Sequence, residues 1–126
     1  MESFSTYLEY DEASHHVRVV YKEGDVPESK VQHLLGYYKP EEKRKNGFPV
    51  WKLISDDKTR YLYRHKTGHW CFNENKTDAE DGIIYSQFKS NSPFHKEINN
   101  RTFWYDAQNP AWLAKSFKVL RTGKWD

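Results

Sequence analysis

The chain has 126 residues, with 20 basic and 18 acidic side chains and a formal net charge of +2. That length predicts one domain, and five Trp, nine Tyr and seven Phe exclude disorder, because disordered chains are poor in aromatics. The near balance of charge excludes the basic footprint of a duplex-binding domain.

The core must be built from flat aromatic side chains, since only 37% of the residues are hydrophobic. Alanine is scarce, and aromatic and β-branched residues favour strands. In chain order, "FSTYLEY" and "HVRVVYK" predict a first hairpin, turning through residues 11–14. Phe4, Thr6, Leu8 and Tyr10 share one face of its first strand, and Val17, Val19 and Tyr21 share one face of its second. "PESKVQHLLG" predicts a short helical turn ended by Gly36, then a strand over 36–39, with a strand over "HLLGYYK" as the alternative.

"PVWKLIS" and "TRYLYRH" predict two further strands joined by "SDDKT". In the second, Tyr61 and Tyr63 share one face, and Arg60, Leu62 and Arg64 the other. "HKTGH" turns the chain into "HWCFN", with Gly68 placed for a positive φ. "GIIYSQF" is the next strand, and "TFWYD" and "FKVL" form a last pair after a turn over 106–110. A helix over "PAWLAKSFKVL", capped by Asn109, is the alternative at that point. Seven to nine short strands punctuated by turns predict an all-β, mainly antiparallel small sandwich or barrel with one short helix.

The order "GYYKP…NGFPVWK…RYLYRHKTGHWCF…GIIYS…SP…FWYD…AW" resembles an uncharacterised aromatic-rich β module of eukaryotic multidomain proteins. The residues that carry the resemblance are Gly36, Tyr37, Asn46, Gly47, Pro49, Val50, Trp51, Tyr61, Leu62, Tyr63, Gly68, Trp70, Gly82, Pro93, Trp104 and Trp112. The resemblance implies an architecture without an assigned activity. It divides the single domain, 1–126, into a module core over 36–120 and an N-terminal hairpin and connection over 1–35.

Cys71 is the only cysteine, so no disulfide can form within the chain. The start "MESFSTYLEYDE" has no basic cluster and no apolar run. No signal peptide or membrane span is expected, and the location expected is cytoplasmic. Asn75 and Asn100 head glycosylation sequons that read as chance matches without a leader.

His65, His69 and Cys71 in "HKTGHWC" are a weak metal candidate, because both residue types ligate zinc. A structural zinc needs a fourth ligand, and no second such unit completes the set, so surface histidines and a buried thiol are the simpler account. No cofactor is expected. Cys71 lacks a nucleophile motif, and the carboxylate pairs Asp56 with Asp57 and Glu41 with Glu42 fall in turns, where such residues are common for local reasons. No glycine-rich phosphate cradle exists.

The chain therefore reads as a non-enzymatic binding module. A protein partner stands first, met by an exposed aromatic and charged patch. A carbohydrate is the alternative, and single-stranded nucleic acid stands third, because Tyr61 and Tyr63 face away from Arg60 and Arg64. Aromatics in or beside turns are the expected surface ones, including Phe94. Tyr37, Tyr38, Phe48, Arg64, Trp112 and Trp125 are accordingly the candidate ligand-binding residues. Trp51, Tyr61, Tyr63, Trp70, Phe72, Ile84 and Trp104 are the expected core.

Overall fold

The structure is a computed structural model that describes residues 15–86, 89, 91–94 and 104–124. Among the described residues nine strands run β1 (His15–Val20), β2 (Gly36–Pro40), β3 (Trp51–Leu53), β4 (Tyr61–Arg64), β5 (Trp70–Asn73), β6 (Ile84–Ser86), β7 (Trp104–Asp106), β8 (Leu113–Ala114) and β9 (Lys118–Lys124). They form one antiparallel sheet of order β8-β7-β6-β5-β4-β3-β2-β1-β9. The all-β expectation holds. So does the short helix, α1 (Glu28–Val31), which continues as a 3-10 turn over Gln32–Leu34.

The topology forces the curvature. β8 and β9 lie at opposite edges of the sheet, yet only residues 115–117 join them. A link that short requires the two edges to approach, so the sheet curls into a half-barrel. The loop after β1 fills the seam: Asp25 N–H donates to the Leu113 carbonyl at 2.8 Å, and Ser116 N–H to the Glu23 carbonyl at 2.9 Å. Gly24 lies between them. A Cβ there would stand 2.6 Å from the Leu113 oxygen and from the Lys115 nitrogen, so no side chain fits.

The concave face holds the main core. Val17, Val19, Tyr38, Trp51, Leu62, Trp70, Phe72, Ile84, Trp104 and Phe117 are buried together, with Val31 and Leu34 of the helical turns packed against them. Phe72 meets Tyr38 and Phe117 edge-on at 5.6 and 5.3 Å between ring centroids. Edge-on contacts suit the ring quadrupoles and let aromatics replace Leu and Ile as filling.

The structure corrects the readings of Tyr38 and Tyr61. β1 pairs with β2 on one side and with β9 on the other. The strand expected over residues 4–10 itself lies outside the described residues. Tyr38 is fully buried, because strand alternation in β2 turns it inward, and its hydroxyl donates to the Leu34 carbonyl at 2.7 Å. Tyr61 is only half-buried, whereas the rest of the expected core is buried. After Pro110 the preferred strand reading over 117–120 is borne out by β9, with β8 and a turn before it, and the alternative helix does not form.

Candidate interaction face

Alternation sends every second side chain to the convex face. The register lines these side chains up in cross-strand rows. In one row Leu120 of β9 lies opposite Arg18 of β1, and Arg18 opposite Tyr37 of β2. Ile54, just past β3, donates its N–H to the Tyr37 carbonyl at 2.8 Å and extends the row. Leu120, Tyr37 and Ile54 are 39%, 50% and 52% exposed. The Arg18 guanidinium stands 5.7 Å from the Tyr37 ring centroid.

In the next row Lys39 lies opposite Lys52, and Lys52 opposite Tyr61. The ammonium groups of Lys52 and Lys76 stand 5.9 and 5.1 Å from the Tyr61 ring centroid. A third row runs Tyr63, Cys71, Tyr85, Tyr105. The loop after β5 covers its start, where the Tyr63 hydroxyl donates to the Thr77 carbonyl at 2.6 Å. Burial raises the Tyr63 hydroxyl pKa. Asp78 anchors that loop, accepting from the Lys66 N–H at 3.1 Å and pairing with Lys45 at 3.3 Å. Burial pushes its pKa up, but the Lys66 amide and the Lys45 ammonium outweigh this and hold the carboxyl below its ordinary value.

The candidates read from sequence do not form one site. Tyr37 is in the exposed row. Tyr38 is in the core. Phe48 is half-buried at the rim of the core, edge-on to Trp70 at 6.2 Å, with the Arg64 guanidinium 4.1 Å from its centroid. Arg64 thus caps the concave side, away from Tyr37. Trp112 is 39% exposed in the turn between β7 and β8. Trp125 lies outside the described residues. Arg18, Ile54 and Leu120 were not foreseen. Their signal is the alternation in "HVRVVYK", "PVWKLIS" and "FKVL", which names a face only once the pairing is known.

The histidines are engaged singly. His69 Nδ1 donates to the Ser86 carbonyl at 2.7 Å. His65 Nδ1 accepts from the Thr67 N–H at 3.2 Å. No three His, Cys, Asp or Glu side chains come together as a metal site among the described residues. Cys71 is buried against Tyr63 and Val50, and burial pushes its thiol up to about 12. A thiol in that state is a poor nucleophile. Native protein at pH 8 should therefore resist iodoacetamide, with full alkylation after denaturation, as intact mass will report. Rapid labelling of the native chain would contradict this burial.

A cavity of about 220 Å³ opens beside β9, walled by Phe94, Trp104, Phe117 and Val119 with Lys118 among its lining residues. No helix among the described residues is long and apolar enough to cross a membrane. Comparison with known proteins found no matching family model, curated protein or solved structure.

Proposed function

We propose that this protein is a non-enzymatic binding module that recognises a protein partner through the convex face of β9, β1, β2 and β3. One observation carries the reading. Among the described residues four large hydrophobic side chains are exposed, and three of them, Leu120, Tyr37 and Ile54, stand in a single cross-strand row around Arg18. Scattered apolar residues are ordinary on a surface, whereas a contiguous patch rimmed by charge is what interfaces use. Tyr and Arg are the residue types that dominate interface energetics.

Carbohydrate binding is the second reading. It is favoured by Tyr85 and Tyr105, whose ring centroids stand 6.0 Å apart on the same convex side. Flat rings suit the apolar face of a sugar ring.

Photocrosslinking separates the two. p-Benzoylphenylalanine placed at position 37 should give a polypeptide adduct in cells, and Leu120→Glu on the same chain should abolish it. The same group at position 112 serves as the control. No adduct from position 37, or an adduct from position 112 alone, would sink the proposed face.

A further inference from the structure

We infer that the partner received by this face is a second copy of the same chain, related to the first by a two-fold axis that runs parallel to the strands, between β1 and β2. The inference rests on the interaction-face reading above. Its support is that the face carries both members of each pair it needs. The row runs Leu120, Arg18, Tyr37, Ile54 across β9, β1, β2 and the end of β3. An aliphatic residue stands at each end, with a cation and a ring between them. A two-fold axis along the strands reverses this row in the second copy. Leu120 then meets Ile54 of the other copy, and Arg18 lies over the other copy's Tyr37 ring. Each contact occurs twice, as an isologous interface requires.

An axis across the strands would instead set each residue on its own counterpart. Arg18 would face Arg18, and juxtaposed like charges oppose association. The axis along the strands avoids this and covers what the row exposes. Leu120 and Ile54 are 39% and 52% exposed, and burying each against the other removes apolar surface from water. The Arg18 guanidinium already stands 5.7 Å from its own Tyr37 ring. A planar guanidinium has two faces, so it can lie between that ring and the Tyr37 ring of the second copy.

The charges around the row agree with this axis. β9 runs antiparallel to β3, because β1 and β2 alternate in direction between them. Lys118, two residues before Leu120, and Asp56, two residues after Ile54, therefore lie toward the same end of the face. Both are exposed. Reversing the row brings Lys118 of each copy to Asp56 of the other. Toward the opposite end the next outward pair of the β1–β2 ladder is His16 and Lys39. The same axis sets His16 beside the other copy's Lys39, and a neutral imidazole does not repel an ammonium. The sheet is convex here, so two copies touch along a strip. Such an interface is of the transient class that buries less than about 1,200 Å².

The test is sedimentation velocity of the full chain over a concentration series from about 5 to about 500 μM, where a transient interface shows its equilibrium. The parent should shift from monomer toward dimer as concentration rises. Leu120→Glu alone and Ile54→Lys alone should each stay monomeric, because each sets a charge against an aliphatic side chain at two places. Both positions are on the surface, so both variants should fold as the parent does. Mixing the two variants should restore association at least tenfold over either alone. In the mixed pair the introduced carboxylate meets the introduced ammonium, and the native Leu120 meets the native Ile54. A parent that stays monomeric throughout, or a mixture that associates no better than its parts, would overturn the inference. A dimer indifferent to both substitutions would overturn it too. The crosslink from position 37 keeps the two readings apart. An adduct with a different polypeptide, formed by a chain that is monomeric alone, leaves the face standing and removes the second copy. Neither adduct nor dimer would remove both.

Discussion

Replacing Lys30 by Met should destabilise the protein by about 3 kcal/mol, the lower end of what removing one partner of a buried ion pair costs. Lys30 projects from α1, and its ammonium reaches both oxygens of Asp106 on β7, at 2.5 and 2.6 Å. The Asp106 side chain is fully buried, whereas that of Lys30 is 24% exposed. Methionine keeps the stem and its packing but removes the charge. Asp106 is then left with the amides of the turn, Gln108 N–H at 2.8 Å and Asn109 N–H at 3.4 Å. Two amides do not neutralise a buried carboxylate. Thermal unfolding should show a drop of about 10 °C for a domain of this size. Adding Asp106→Asn should recover part of the loss, since the amide oxygen still accepts from the turn and no charge is stranded. A Lys30→Met protein as stable as the parent would mean that the pair contributes nothing. A double variant less stable than Lys30→Met would mean that the loss has another cause.

The ion pair illustrates what the sequence could and could not disclose. Local pattern was legible. Alternation predicted that Val17 and Val19 share a face, that Trp70 and Phe72 do, and that Gly68 turns the chain at positive φ, where it sits at 98°. The scarcity of Leu and Ile pointed to an aromatic core, and Trp51, Tyr63, Trp70, Phe72, Ile84 and Trp104 are all buried. Turn adjacency was the weaker guide. It placed Tyr38 on the surface beside Gly36 and Pro40, where alternation within β2 sends Tyr37 outward and Tyr38 inward. The interaction face was hidden for another reason. Arg18 meets Leu120 through a pairing between distant parts of the chain, and Lys30 finds Asp106 across 76 positions. No local period encodes such a register. It follows from the short link that brings β9 round to β1.

The same closure makes the largest prediction. A chain beginning at Gly36, the start of the module read from sequence, should not fold. β1 stands between β2 and β9, so its loss breaks the ladder at both of its sides. The deletion also removes Val17, Val19, Val26, Val31 and Leu34 from the core. Burial of each such side chain contributes on the order of 1.5–3 kcal/mol. Their sum is comparable to the whole margin of about 5–15 kcal/mol by which domains are stable. Polar partners go with them. The Trp51 Nε1–H loses the His15 carbonyl at 2.8 Å, and the Tyr38 hydroxyl loses the Leu34 carbonyl. Both donors belong to core side chains, and a buried donor left unpaired costs about 1–3 kcal/mol more. Asp106 loses Lys30 as well. Far-UV circular dichroism and amide dispersion of the fragment 36–126 will decide. A collapsed spectrum without cooperative melting is expected. A dispersed spectrum with a sharp transition would establish the boundary at Gly36. It would also show that β2 and β9 are stable without the strand between them.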